Sequence, residues 1–181
     1  ILIGQVLDFD TSVGKPLGYY KGAYFEIGLD AALADAAAST GNVTLAAVLT
    51  RDSQILLHED TSGQISVLAA PTSVNSIGNL SNYLKDLGLT NALDQLYAVY
   101  RNTRDDTQRM IYHGTVAGDA PTGLRYFDLN SLPLDRVTDA AERSMLRRYC
   151  QENSHGAFGI YHGTEVEGVV HTIAERQNYH T

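Results

Sequence analysis

Basic residues are in short supply: thirteen Lys and Arg stand against 21 Asp and Glu, a formal charge of −8. This balance repels phosphate backbones and anionic headgroups, and no run of basic residues concentrates a local patch. Nucleic acid and membrane surfaces are therefore not expected partners. Cysteine occurs once. Cys150 has no partner for an internal disulfide and no neighbouring His at zinc-ligand spacing, which fits a reducing, cytoplasmic setting. No apolar stretch approaches the roughly 20 residues needed to cross a bilayer. The basic flank and small-residue cleavage site of a signal peptide are also missing, so a soluble protein is expected. Glycine-rich phosphate loops, a Gly-x-Ser-x-Gly nucleophile elbow, repeats of solenoid period and low-complexity segments are all absent.

What the 181 residues do hold is enough apolar material for a core: 44% are hydrophobic and 19% charged. Folding at this length buries roughly 70% of the extended-chain surface, so one domain plus an appendage is expected. The chain opens on Ile1 within an apolar run, which suggests a fragment. Residues 1–8 read as a strand. Gly14 and Pro16 mark a turn before the aromatic segment GYYKGAYF, and Leu29, Ala32, Leu33, Ala36 and Ala37 then fall at helical spacing ahead of Gly41. From residue 43 a self-contained domain is predicted. NVTLAAVLT and ILLHED flank a turn at 51–54 and form a hairpin, and a short strand follows at 65–69. Ile77, Leu80, Leu84 and Leu87 then mark an amphipathic helix ended by Gly88. Strands are expected over 93–100, 108–116 and 124–127. Thr138 caps a helix with Asp139 and Glu142 in its first turn and Arg147 and Arg148 in its last. FGIYHG and EGVVHTI close the chain as a hairpin. This order predicts an α/β or α+β domain with a largely antiparallel or mixed sheet.

Few residues carry an obvious chemistry. Two Tyr-His-Gly triplets, at 112–114 and 161–163, account for two of six histidines. No pair of His stands at the i, i+2 or i, i+4 spacing that favours a metal, so they read as strand-end or surface residues, with no catalytic or metal role. Cys150, beside Arg147 and Arg148, has neighbours that would make a thiol somewhat acidic, but with no assigned base it reads as a partly buried helix residue. Tyr97, Tyr100, Arg109 and Tyr112 lie on the two long strands. Strict alternation puts Tyr97 and Tyr100 on opposite faces, and likewise Arg109 and Tyr112, so at most one Tyr of the first strand shares a face with Arg109. Core and cross-strand packing is the favoured account of them.

Residues 43–150, with a helix ending in Leu87-Gly88-Leu89, resemble a Nudix domain. Aligning that family's box on Gly88 and Leu89 puts Ser81 and Asn82 at its Arg-Glu and Lys85 and Asp86 at its Glu pair. Ser73 then falls at the earlier Glu and Val67 at the leading Gly. Of the carboxylates that gather divalent cations, only Asp86 remains. The first 27 residues are similar to the last strand and tail of flavin reductases of the FMN-binding split-barrel family. The family's Tyr-x-Gly-Gly-Tyr-His tail reads Tyr20-Lys21-Gly22-Ala23-Tyr24-Phe25 here. Together the resemblances imply three parts: the end of a reductase domain at 1–27, a linking helix at 28–42 and a Nudix-like α/β/α sandwich with a mixed sheet at 43–181.

The parent they imply is a homodimeric NAD(P)H-dependent flavin reductase using FMN or FAD. This fragment would itself be an accessory domain without hydrolysis, sensing an NAD-derived nucleotide or docking another domain, with no cofactor of its own. The resemblance places a nucleotide at Tyr97, Tyr100, Arg109 and Tyr112 and the flavin tail at Tyr20 and Tyr24. The alternative it leaves is a divergent Mg-dependent hydrolase of a nucleoside diphosphate derivative such as ADP-ribose. That enzyme would build its metal site from Asp86 with Glu165, Glu167 or Asp119.

Overall fold

The structure, a computed structural model, describes residues 17–20, 23–26, 42–103, 106–156 and 158–172. Strands β1 (Leu17–Tyr20) and β2 (Ala23–Glu26) pair antiparallel, with Tyr19 opposite Tyr24 and Tyr20 opposite Ala23. The strand expected over 1–8 and the helix expected over 28–42 lie outside the described residues.

The apolar run Val43–Arg51 forms β3 and turns at Asp52, which has a positive φ, into β4 (Gln54–Glu59). Side chains of β3 alternate cleanly. Leu45, Ala47 and Leu49 enter one core and Ala46 and Val48 the other, so both faces of the strand are covered and the run can be apolar throughout. The segment expected as one strand at 65–69 is split. Ile65–Ser66 (β5) pairs with β4, and Leu68–Ala69 (β6) pairs with β3.

Helix α1 (Ile77–Asp86) starts where the Ser76 hydroxyl accepts from the Asn79 N–H and buries Leu80 and Leu84, one turn apart. It stops in a Schellman-type cap: Gly88 sits at φ +85° and the Leu89 N–H reaches the Leu84 carbonyl at 3.0 Å. The long hairpin of β7 (Thr90–Asn102) and β8 (Thr107–Ala117) follows, and β9 (Leu124–Asp128) returns to pair with β4.

Helix α2 (Ala140–His155) is capped by Asp139, not by Thr138 as expected, its carboxylate accepting from the Glu142 N–H at 2.8 Å. It also runs a further turn and more past Arg147 and Arg148, to Gly156 at φ +66°. Strands β10 (Gly159–Thr164) and β11 (Gly168–Thr172) make the closing hairpin.

The main sheet has nine strands in the order β11-β10-β7-β8-β3-β4-β5, with β6 and β9 added on β3 and β4. It is mixed, because β3 pairs parallel with β8 and β10 parallel with β7. Parallel neighbours need a crossover, and the connections include α1 and α2 respectively. Helix α1 packs on the face that holds Leu45, Leu96 and Met110, and α2 packs on the face that holds Val48, Tyr97 and Ile111. The result is the expected α/β/α sandwich.

Candidate functional site

Two β-bulges govern what β7 presents to α2. Pairing with β8 shifts between Leu93 and Gln95 and again between Leu96 and Ala98, which leaves Asp94 and Tyr97 as the extra residues. Strict alternation therefore fails here. Tyr97 and Tyr100 both belong to the core beneath α2, where the sequence placed them on opposite faces. On β8, which carries no extra residue, alternation holds: Tyr112 lies in the other core, beneath α1, and Arg109 points the opposite way. The four residues singled out from the sequence are thus divided. Tyr100 and Arg109 are direct cross-strand partners, Tyr97 is fully buried edge-on against Tyr149 with ring centroids 5.2 Å apart, and Tyr112 lies across the sheet from all three. Tyr20 and Tyr24 lie on β1 and β2, and only their strand register is described.

Beneath the first turn of α2 a polar group is sealed into the protein. Glu142, read from the sequence as a dipole partner, is only 3% exposed. Its Oε1 accepts from the Val67 N–H, and Arg109 Nη1 lies 3.6 Å from its Oε2. Burial pushes the Glu142 carboxyl up to about 7, against the pull of the Val67 N–H and Arg109. The Tyr97 and Tyr100 hydroxyl oxygens are buried, with the Glu152 carboxylate neighbouring the first and Arg109 the second. Burial raises the Tyr100 phenol to about 12, and Arg109 partly offsets that rise.

Above this group α2 and the β10–β11 hairpin enclose a cavity of about 410 Å³. Helix α2 contributes Ala141, Ser144, Met145 and Arg148, spaced three and four residues apart on one face, and β7 contributes Tyr100. The hairpin supplies Tyr161, Glu165, Glu167 and Val170. Arg148 is held in place: its Nη1 donates to the Gly159 carbonyl at 3.2 Å and to Glu152 at 3.3 Å, its Nη2 donates to the Tyr97 carbonyl, and its guanidinium lies 4.1 Å above the Tyr97 ring. Tyr161 donates to the Thr164 carbonyl at 2.7 Å, and the Thr103 N–H donates to both oxygens of Glu165 at 3.1 and 3.0 Å. Sequence reasoning did not find this cavity. Its one local trace is the Ala141, Met145, Arg148 stripe, and the wall facing that stripe comes from a hairpin that pairs with another strand.

The other candidate residues have structural placements. Glycines end both Tyr-His-Gly triplets because neighbouring backbone approaches them too closely for a side chain. A Cβ on Gly114 would stand 2.2 Å from the Ala92 carbonyl oxygen, and one on Gly163 would stand 2.3 Å from that of Glu167. His113 stacks on Phe158 at 4.5 Å, places Nδ1 3.3 Å from the Tyr149 hydroxyl, and has its pKa lowered by burial. Cys150 is a half-buried helix residue, as read from the sequence, and burial pushes its thiol pKa up, against the acidic thiol that its Arg neighbours would favour.

On α1, at the positions of the Nudix box, Ser81 donates to Asn91 Oδ1 at 3.0 Å and so ties the helix to β7. Asp86 and Asp119 stand near one end of the β7–β8 hairpin, where Thr90 pairs with Ala117. Glu165 is bound to Thr103 at the other end, roughly 40 Å of strand away at about 3.3 Å per residue. The acidic residues weighed for a divalent cation therefore do not converge. Among the described residues no group of three or more His, Cys, Asp or Glu is placed to hold a metal ion.

A mixed nine-stranded sheet between two helices, one of them ending in the Leu-Gly-Leu turn, is a Nudix-like fold. A solved NUDIX hydrolase from Nitrosomonas europaea superimposes with a TM-score of 0.53 at 15% identity, covering 87% of this chain and 98% of that one. A second solved structure, from Sinorhizobium meliloti 1021 and provisionally described as an oxidoreductase, aligns with a TM-score of 0.64 at 28% identity. It covers 83% of this chain and 52% of its own. In sequence the chain is 33% identical over 181 residues to a Rhizobium meliloti (strain 1021) protein named "Probable flavin reductase". It is 30% identical over 188 residues to the reductase component of a flavin-dependent trigonelline monooxygenase from Acinetobacter baylyi. Each match takes in 97% of this chain and 56% of the relative, so the chain spans about half the length of the curated relatives it matches. No family model matches the chain.

Proposed function

We propose that this chain is the Nudix-like accessory part of an NAD(P)H-dependent flavin reductase, carried at the C-terminal side of the reductase domain and serving ligand sensing or domain docking. The observation that carries the reading is the sequence match itself: two flavin-reductase relatives align over nearly the whole chain, Nudix-like fold included. In this reading residues 1–27 close the reductase domain, 28–42 link it and 43–181 form the accessory domain. FMN or FAD is bound by the parent protein, a homodimer, through residues other than the described Nudix-like core.

Hydrolysis of a diphosphate has no support in the donor set. Along α1 the positions that would gather cations hold Ser81, Asn82, Lys85 and Asp86, and a single carboxylate beside a lysine fits a divalent ion poorly. What the domain retains is a folded scaffold and a cavity on the opposite face from α1. This arrangement favours recognition without turnover.

The test compares the full-length protein with this chain. Full-length protein should oxidise NADH or NADPH when FMN or FAD is supplied, and the chain alone should not. Neither should release AMP from ADP-ribose with Mg²⁺ or Mn²⁺. Metal-dependent release that disappears in Asp86→Asn would overturn the non-hydrolytic reading. A full-length protein inert toward flavin would overturn the reductase assignment.

A further inference from the structure

We infer that two copies of this chain associate through the outer edge of β11, antiparallel and centred on Val169, so that their sheets run on as one. The inference deepens the domain-docking reading, on which it rests for the homodimer, by naming the docking surface. Among the described residues four large apolar side chains are exposed, and three of them lie on the β10–β11 hairpin: Val166 at 84%, Val169 at 62% and Val170 at 37%. Strand β11 ends the sheet and is unpaired on its outer side among the described residues. Its five residues, Gly168–Thr172, include no Lys and no Pro, and its register with β10 runs without a bulge. The far end of the sheet is protected: β5 is two residues long, Ile65 is buried, and the Val67 N–H beyond it donates to Glu142. Of the two ends, β11 is the one that can accept another strand.

The backbone groups on offer follow from the turn. The Thr164 N–H donates to the Glu167 carbonyl at 2.7 Å, so Glu167 turns its backbone toward β10. Alternation then turns that of Gly168, Val170 and Thr172 outward. A two-fold axis through Val169 sets Gly168 opposite Val170 of the second copy, and the two such pairs exchange about four backbone hydrogen bonds. Side chains complement one another in the same register. Gly168 lies beneath the Tyr161 ring, where a Cβ would come 2.6 Å from Cζ, so Val170 of the second copy packs against that ring at the mouth of the cavity. On the other face Val169 meets Val169, flanked on each side by Glu167 opposite His171, a carboxylate acceptor facing an imidazole donor. An axis through Val170 would instead set Gly168 against Thr172 and part Glu167 from His171. The overall charge of −8 repels a second copy, so a contact with locally opposed polarity and exposed valines is where association is favoured. Each copy covers the other's edge, and the assembly closes at two.

Sedimentation of the 181-residue chain tests this. Wild type should show a monomer–dimer equilibrium with a micromolar dissociation constant, in keeping with an interface of a few strand residues. Val169→Lys and Val169→Glu, at an exposed position where folding is not at stake, should each weaken association at least about tenfold. An equimolar mixture of the two should restore it, because position 169 faces itself across the axis. Val170→Pro removes an outward N–H and no bond to β10, so it should give a monomer with the circular dichroism of wild type. The inference is overturned if wild type stays monomeric at about 500 μM, if the dimer survives any of the three substitutions, or if the mixture stays monomeric. Each of these outcomes leaves the reductase assignment standing, since that rests on flavin turnover by the full-length protein.

Discussion

Glu142 gives this protein a pH signature that can be worked out in advance. Burial lifts its carboxyl from 4.5 to about 7, with the Val67 N–H and Arg109 pulling the other way. A native pKa above the unfolded value means that the folded chain holds a proton at pH values where the unfolded chain has released it. The stability this group contributes is therefore fully present below about pH 4.5 and is lost as the pH climbs through about 7. The separation is worth on the order of 3 kcal/mol, a large share of the ~5–15 kcal/mol that holds a typical domain together. His113 acts in the opposite sense: its pKa is lowered by burial, so its contribution is present above 6.5 and is lost as the pH falls. The wild-type curve superposes the two, and Glu142→Gln separates them. Glutamine keeps the length of the side chain and an acceptor for the Val67 N–H but does not titrate. In urea unfolding between about pH 4.5 and 8, the stability of wild type minus that of the variant should fall by on the order of 3 kcal/mol. A difference that stays flat within about 1 kcal/mol, or rises with pH, refutes the assignment of a buried, proton-retaining carboxyl.

Three further outcomes follow from local geometry and burial. Gly114→Ala should cost about 3 kcal/mol or more, because its Cβ would meet the Ala92 carbonyl oxygen at 2.2 Å in a paired strand that has no room to retreat. Gly78→Ala, where the nearest atom to the new Cβ is Ser76 Oγ at 4.0 Å, should instead gain up to about 1 kcal/mol of helix stability; denaturant curves of the pair should move in opposite directions. Cys150, half-buried and with its thiol pKa raised, should react with iodoacetamide near neutral pH far more slowly in the native protein than in urea.

The sequence was most legible where a pattern is set by the residues themselves. The run through Val43–Arg51, the Leu80 and Leu84 spacing and the Gly88 stop all have local causes, and the strand, helix and cap stand where those causes put them. Tyr97 escaped because a bulge inserts a residue without any mark in the side-chain pattern, and one inserted residue reverses the facing of everything before it. The end of α2 was read too early because Gln151–His155 is polar and offers no apolar stripe; Gly156 was the available signal. Glu142 was read only as a partner of the helix dipole because the segment that covers it, carrying Val67, lies far from it in sequence. The cavity was hidden for the same reason, since the hairpin forming its outer wall is placed by parallel pairing with β7.

The parallel pairing of β3 with β8 also governs how the chain can assemble in time. Val43 lies beside Gln108 and Thr50 beside Thr115, so the centre of the sheet joins segments some 65 positions apart. Closing such a loop comes before any reward from the contact, which places folding in the slow range for domains of this size, from milliseconds to seconds. During synthesis β3 and β4 emerge as a hairpin whose two faces are both apolar, and β3 must wait for β8 before its far edge is paired. The β3–β4 hairpin is thus the part of the nascent chain most exposed to misassembly, and its vulnerable period ends when β8 arrives.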